Sequence, residues 1–169
     1  MEPHRLKYYC DVTLDDTKWM QLLKYAFQTA DEVGLVLLLI GSKLPSEIEA
    51  LTKDAAIVNR RTKRHTAGYN LRLKLTDKVK TFILSVNYLG WRYYGLRDIA
   101  FYRNGIELLA IISPDNQAMI RCTAEQREEL SKLGFDFHVS WDADSEDEKT
   151  GNFLETLLDK IIEMLKGKK

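Results

Sequence analysis

The dipeptide Asn104-Gly105 constrains the fold of this chain more strongly than any other feature of its sequence. It separates two runs that are rich in β-branched and aromatic residues, at 99–103 and 106–112. Asn and Gly readily adopt the positive φ angles of a type I′ turn, whose twist matches that of a β-hairpin. A turn that contains proline follows at 113–116, and a third strand-like run comes after it. The sequence therefore predicts a three-strand antiparallel meander.

Periodic apolar residues predict helices before and after this meander. Between 19 and 33 the apolar positions recur at helical spacing, and Gly34 is the expected end of that helix. The run 81–87 is typical of a strand, whereas 153–165 carries a continuous helical face. We expect this last face to pack on a preceding strand, and the residues predicted to be buried together are Phe137, Trp141, Leu157, Leu158 and Ile161.

The chain has 169 residues, a length typical of one domain. Hydrophobic residues make up 45% of it, which is enough apolar surface to offset the entropy lost on folding. Because the predicted strands come in hairpins and no Gly-rich turn joins a strand to a helix, a βαβ nucleotide fold fits poorly. We predict a single α+β domain over 1–169, with a mainly antiparallel sheet of about five to seven strands and helices packed against it.

Charge is distributed unevenly along a chain whose formal net charge is zero. Residues 51–100 contain eleven basic and three acidic side chains, a net charge of +8. The densest part of this block lies in 59–70, which we interpret as a basic loop. Because arginine forks match phosphate oxygens, the candidate phosphate-binding residues are Arg60, Arg61, Lys63, Arg64, His65 and Arg72. The alternative is a solvated loop that only keeps the surface soluble.

A second feature is the aromatic–arginine segment, residues 88–103, in which nine of sixteen residues are aromatic or arginine. These residue types are enriched at the energetic centres of protein interfaces, and aromatic rings also stack on single-stranded nucleic acid. The alternative is ordinary sheet packing, because aromatic residues favour strands. The candidates for protein binding in this segment are Trp91, Arg92, Tyr93, Tyr94 and Arg97.

A third feature is the acidic segment, residues 142–150, which we interpret as a linker before the C-terminal helix. Asp142, Asp144 and Glu146 alternate as in a calcium loop. Asp147 and Phe153, however, occupy the positions at which such a loop requires Gly and Glu, so a calcium site is not expected. The three alternating carboxylates are further candidates for protein binding, through contact with a basic partner.

Motifs that carry enzyme chemistry are mostly missing from the sequence. It contains no GxGxxG, Walker or nucleophile-elbow pattern, and its three His and two Cys residues show no metal-ligand spacing. We therefore expect no cofactor and no metal, and we expect Cys10 and Cys122 to be buried, reduced thiols. With no secretory leader and an apolar run at 34–41 that is too short to cross a bilayer, we expect a cytoplasmic protein without a membrane partner.

Three hypotheses of function follow from these features. We favour a non-enzymatic module that binds another protein, and one version is an immunity or antitoxin-like protein that occludes its partner's surface. The alternative is a nucleic-acid or phosphate-binding protein that uses the basic segment 60–74. An enzyme with a dispersed site, such as a phosphodiesterase using His65, ranks last because no general base can be identified. The sequence indicates no oligomeric state.

Overall fold

The computed structural model describes residues 6–11, 15–40, 44–53, 56–63, 66–91, 95–112 and 117–139. The strands within these ranges are β1 (Leu6–Asp11), β2 (Glu32–Ile40), β3 (Ala56–Lys63), β4 (Thr66–Lys74), β5 (Leu96–Arg103), β6 (Ile106–Ile112), β7 (Gln117–Cys122) and β8 (His138–Val139). The helices in the same ranges are α1 (Asp16–Thr29), α2 (Ser46–Thr52), α3 (Asp77–Ser85), α4 (Tyr88–Trp91) and α5 (Ala124–Lys132).

The described strands form one sheet in the order β3-β4-β2-β5-β6-β7-β1-β8. Every neighbouring pair in this order is antiparallel. The helices pack against the sheet, so the predicted α+β class is confirmed. The sheet has eight described strands, more than expected, because β3 lies in the segment that the sequence analysis assigned to a loop.

The predicted hairpin is confirmed at the join of β5 and β6. Asn104 and Gly105 have φ angles of 52° and 80°, both in the left-handed region that a type I′ turn requires. β6 then pairs with β7 in the register Ile111 with Ala118, which completes the meander.

The helices cover one face of the sheet and form the first core. α1 begins at Asp15, whose Oδ1 accepts a hydrogen bond from the backbone N–H of Lys18 at 2.8 Å. α5 begins with the predicted capping box of Thr123 and Gln126. Buried side chains from every described helix meet alternate strand residues in this core, and among the strand members are Val33, Leu35, Ile99, Phe101, Leu109, Ile120 and the two buried thiols Cys10 and Cys122.

The opposite face of the sheet carries a smaller second core. Its members are all strand residues within the described ranges: Val36, Ala100, Tyr102, Ala110 and Met119, with Tyr9 packed against them. They alternate along their strands with members of the first core, as the pleat of a sheet requires. This arrangement explains the apolar sequence of β2, since a central strand that is buried on both faces has no polar side to expose.

Two element predictions are wrong. The run 81–87 lies mostly in the helix α3 and not in a strand, because the Thr76 side chain caps the preceding turn by accepting from the N–H of Val79 at 3.4 Å. Val79 and Ile83 are then buried one helical turn apart, a spacing that suits a helix. α1 ends at Thr29, and Gly34 lies inside β2 instead of ending the helix.

The interpretation of 59–70 as a basic loop is also wrong. β3 and β4 form an antiparallel hairpin that runs from the Ala56–Leu73 pair to the Lys63–Thr66 pair. β3 is a strand because it pairs with β4, and the many charged residues of the segment give no sign of this pairing. β3 is the last strand in the described sheet order, so the basic residues lie on an edge strand.

Candidate functional site

The structure places Trp91 in the interior. It is 1% exposed, and its ring centre lies 5.5 Å from that of Trp19 and 6.3 Å from that of Phe82. Tyr88, at the start of the same short helix, is also buried and lies 5.7 Å from Trp19. The packing alternative therefore accounts for this part of the aromatic–arginine segment, and Trp91 offers no exposed surface to a partner.

The other candidates for protein binding are placed only in part. Arg97 belongs to β5 by its backbone. Six candidates lie outside the described residues: Arg92, Tyr93, Tyr94, Asp142, Asp144 and Glu146. Their role in binding stays a prediction.

The candidate phosphate-binding residues fall on the β3–β4 hairpin. Arg60, Arg61 and Lys63 belong to β3, and Arg72 belongs to β4. Arg64 and His65, between the two strands, lie outside the described residues. The hairpin thus collects on one edge of the sheet residues that the sequence analysis attributed to a loop.

Arg72 is engaged by other residues of the chain. Its Nε lies 3.5 Å from Oε2 of Glu32, and its guanidinium carbon lies 3.0 Å from the ring centre of Tyr102. A guanidinium over an aromatic ring is attracted to the negative face of the ring. These contacts give Arg72 a structural role on the second face. They leave fewer of its guanidinium N–H groups available to bind a phosphate.

Tyr102 connects Arg72 to a partly buried carboxyl group. The Tyr102 hydroxyl donates a hydrogen bond to Oε2 of Glu107 at 3.2 Å. Burial raises the pKa of Glu107, while the hydrogen bond from Tyr102 opposes that change. Burial and the nearby charge of Glu107 also raise the pKa of Tyr102. Both groups therefore lose a proton less readily than they would in water, and the hydrogen bond joins their side chains.

A groove runs along the exposed side of α1, a helix that packs on the first core. Its volume is about 820 Å³, and its lining residues are Asp16, Thr17, Met20, Gln21, Lys24, Phe27, Gln28 and Leu84. Met20 and Leu84 are large apolar residues that remain 45% and 47% exposed. Isolated exposed apolar residues are common, but two that line one groove form a surface suited to recognition.

The polar residues of this groove are arranged along α1. Asp16, Met20, Lys24 and Gln28 recur every four residues, which places them on one side of the helix. Oδ1 of Asp16 accepts a hydrogen bond from the backbone N–H of Tyr88 at 3.0 Å, so this carboxylate also joins α1 to α4. The groove thus has an apolar middle, with one acidic and one basic residue along its length.

Sequence reasoning missed this groove for an identifiable reason. Met20 was not among the apolar positions that predicted the helix, although helical spacing places it beside Phe27 at the edge of that stripe. Leu84 was assigned to a strand. A helical reading of 77–85 would have left Leu84 as an apolar residue outside the buried stripe of Val79 and Ile83.

Within the described ranges, no group of three or more His, Cys, Asp or Glu side chains is arranged to hold a metal ion. None of the described helices combines the length and apolar character needed to cross a membrane. Comparison with protein-family models, curated proteins and solved structures found no match for this chain.

Proposed function

We propose that this protein is a non-enzymatic module that binds another protein through the groove on α1 and α3. The observation that carries the proposal is that Met20 and Leu84 line one groove, whereas the other exposed large apolar residues of the described ranges, Leu6, Ile106 and Leu133, are absent from its lining. Methionine is flexible and polarizable, so it adapts to the side chains of a partner.

The groove suits an amphipathic helix as the partner's contact element. Such a helix lays an apolar stripe into a groove and meets polar residues at its sides. Met20 and Leu84 would contact the stripe, and Lys24 would meet an acidic residue beside it. Binding of this kind occludes the partner's surface without a chemical step, which is how an immunity or antitoxin-like protein would act.

The test compares two groove variants with a matched control in capture from the native host. Met20→Asp and Leu84→Asp place a charge in the groove at positions that are already half exposed. Leu133→Asp makes the same change at a residue that is 48% exposed and absent from the groove lining. We expect the partner captured by the parent protein to be lost with both groove variants and retained with Leu133→Asp. Equal capture by all three variants would contradict the proposal.

A second candidate function rests on the β3–β4 hairpin. β3 is the last strand in the described sheet order, and it carries Arg60, Arg61 and Lys63. Arginine forks bind phosphate oxygens in pairs. The geometry therefore supports nucleic acid as the alternative partner.

Ionic strength separates the two candidates. Each phosphate contact releases counterions, so the logarithm of the affinity for nucleic acid falls steeply and linearly with the logarithm of the salt concentration. Removing three contacts with Arg60/Arg61/Arg64→Glu should flatten that slope by about 3. An affinity that changes little between low and moderate salt, with an unchanged slope in the variant, would favour the protein-binding function.

A further inference from the structure

Four side chains of the groove form a row on the exposed side of α1. Asp16, Met20, Lys24 and Gln28 are all exposed and recur every four residues, so they form one ridge of the helix surface. Each step along this ridge advances about 6 Å along the helix axis. Asp16 and Lys24 therefore lie at equal distances on the two sides of Met20, and their charges are opposite.

The two charges of the row are not neutralised within the described part of the chain. Asp16 and Lys24 are about 12 Å apart along the axis, which is too far for an ion pair between them. Among the described residues, neither side chain takes part in an ion pair. Oδ1 of Asp16 accepts a hydrogen bond from the backbone N–H of Tyr88 at 3.0 Å, which positions the carboxylate at one end of the groove. The row thus offers one acidic and one basic group to a molecule that binds there.

A two-fold axis through Met20 makes the row complementary to itself. If a second copy of α1 is turned by 180° about an axis perpendicular to the helix, its Lys24 lies opposite Asp16 and its Asp16 lies opposite Lys24. In a contact of this symmetry every pair occurs twice, so the charges of both copies are paired. Two copies of α1 that ran in the same direction would instead place like charges opposite each other.

We propose that, in the absence of another partner, the protein forms a homodimer through this groove, with the two copies of α1 antiparallel and Met20 on the two-fold axis. Ridges of this spacing interdigitate when two helices cross at about 50°, the commonest packing class in globular proteins. The two Met20 side chains meet at the crossing point, where a flexible thioether packs easily against its own copy. Leu84 lines the same groove, so the second copy covers it as well.

The dimer should be weak and reversible. α1 has fourteen residues and is about 21 Å long, and α3 contributes Leu84 to the groove lining. A standard interface buries about 800 Å² of each partner, and a single helix crossing covers less than that. Exposed ion pairs add little affinity, but they set the orientation because the arrangement with like charges is repulsive.

This inference rests on the groove of the proposed function and adds a form of regulation to it. A second copy and another protein would occupy the same side of α1, so the other protein would bind only the monomer. Its apparent affinity would fall as self-association removes the monomer. Self-association is measured on the purified chain alone. Its absence would leave the capture of a partner undecided, and failed capture would leave the dimer undisputed.

The alternative occupant of the groove is the C-terminal part of the chain itself. This part contains Trp141, Leu157, Leu158 and Ile161, which the sequence predicts to be buried with Phe137 and which lie outside the described residues. A chain that covers its own groove stays monomeric at every concentration, so the oligomeric state separates this occupant from a second copy.

Sedimentation velocity of the full chain between about 10 μM and about 1 mM tests the dimer. We expect the parent protein to change from monomer towards dimer over this range. Asp16→Lys and Lys24→Asp each place like charges opposite one another in both pairs, so each variant alone should dimerise about tenfold more weakly or worse. Lys53→Asp makes the same change at an exposed position outside the groove lining and should dimerise like the parent.

An equimolar mixture of Asp16→Lys and Lys24→Asp gives the most specific result. Each lysine of one variant then faces an aspartate of the other, so the mixture should associate like the parent although neither variant does so alone. A parent that is monomeric throughout would overturn the proposal. Folded variants whose mixture does not associate would also overturn it.

Disulfide trapping covers the case in which Asp16→Lys does not fold, since Asp16 also accepts the N–H of Tyr88. Met20→Cys places one thiol of each copy beside the two-fold axis, while the natural thiols Cys10 and Cys122 are 1% and 0% exposed. Oxidised glutathione serves as the oxidant that joins two thiols in a disulfide.

The matched control for trapping is Leu133→Cys, at a residue that is 48% exposed and lies outside the groove lining. At a concentration where the parent is mostly dimeric, we expect Met20→Cys to form a covalent dimer about tenfold faster or more than Leu133→Cys. Adding Lys24→Asp to Met20→Cys should remove most of this difference. Equal rates for Met20→Cys and Leu133→Cys, or a difference that survives Lys24→Asp, would overturn the proposal.

Discussion

The guanidinium of Arg72 reaches the ring of Tyr102 across an intervening strand. Arg72 lies on β4 and Tyr102 on β5, and both strands flank β2. The guanidinium carbon is nevertheless 3.0 Å from the ring centre. In the register, the β2 residue beside Arg72 is Gly34, which has no side chain to obstruct the path. At this point of the face, the intervening strand therefore places only a hydrogen between β4 and β5.

Gly34→Val should therefore destabilise the fold even though valine favours strands. The added side chain would displace Arg72 from Tyr102 and overpack a buried position, at a cost of about 1–3 kcal/mol. Chemical denaturation of the single variants and of Gly34→Val/Arg72→Ala would measure this cost. We expect the double variant to lose less free energy of unfolding than the two single variants lose together, because both changes remove the same contact. Strict additivity would show that the contact contributes nothing.

Glu107 should make the stability of the protein depend on pH. Its pKa is raised in the folded state, so the folded chain binds more protons than the unfolded chain between the usual Glu pKa and the raised value. The free energy of unfolding therefore falls as pH rises through that window. Glu107→Gln keeps an acceptor for the Tyr102 hydroxyl and removes the charge. We expect this variant to be at least as stable as the parent at neutral pH, with the difference shrinking under acid conditions.

Denaturation at a series of pH values checks this expectation. Glu129→Gln, at an exposed position on α5, is the matched control and should keep the pH dependence of the parent. If the free energy of unfolding depends on pH in the same way for the parent and for Glu107→Gln, burial of the Glu107 carboxyl does not destabilise the folded state.

Asparagine at position 105 should leave the stability of the fold nearly unchanged, whereas valine at this position should lower it. A Cβ added at Gly105 meets no atom within 4 Å, so a clash with neighbouring residues would not explain any loss. The φ of 80° is the cause, because a β-branched residue is strained there while Asn is not unusual. We expect Gly105→Val to lower the free energy of unfolding by about 1–3 kcal/mol and Gly105→Asn to lower it by much less. Equal losses in thermal or chemical denaturation would contradict the assignment of the strain to φ.

Trp91 should contribute to stability and affect binding only through stability. Removing a buried Trp costs about 3–5 kcal/mol, so Trp91→Ala should melt well below the parent. Trp91→Phe keeps a ring against Trp19 and removes an indole N–H that has no partner among the described residues, so its loss should be clearly smaller. If a folded Trp91→Phe protein no longer captures its partner, Trp91 contributes directly to binding and this prediction is wrong.

Local signals in the sequence were reliable where neighbouring residues determine the structure. The Asn104-Gly105 turn and the cap at Thr123 are decided by residues that are close in the chain, and both are confirmed. β3 depends instead on pairing with β4, and its many charges suggested a loop. Gly34, Ala100 and Ala110 are likewise unremarkable in sequence, and they form a row of small residues only when three strands place them side by side. The groove is likewise a product of packing, since Met20 and Leu84 lie on separate helices.

The two charged segments should differ in their effect on partner association. If the acidic segment guides a basic protein partner, Asp142/Asp144/Glu146→Lys should slow association by about tenfold or more at low salt. Arg60/Arg61/Arg64→Glu should change that rate little, because the edge hairpin is not part of the α1 groove. Stopped-flow measurement at several ionic strengths tests both, and the difference should shrink as the screening length falls from about 10 Å at 0.1 M to about 3 Å at 1 M. Each variant is first shown to unfold like the parent. If only the arginine variant loses association, and the partner is a nucleic acid, the hairpin is the functional site and the protein-binding function is wrong.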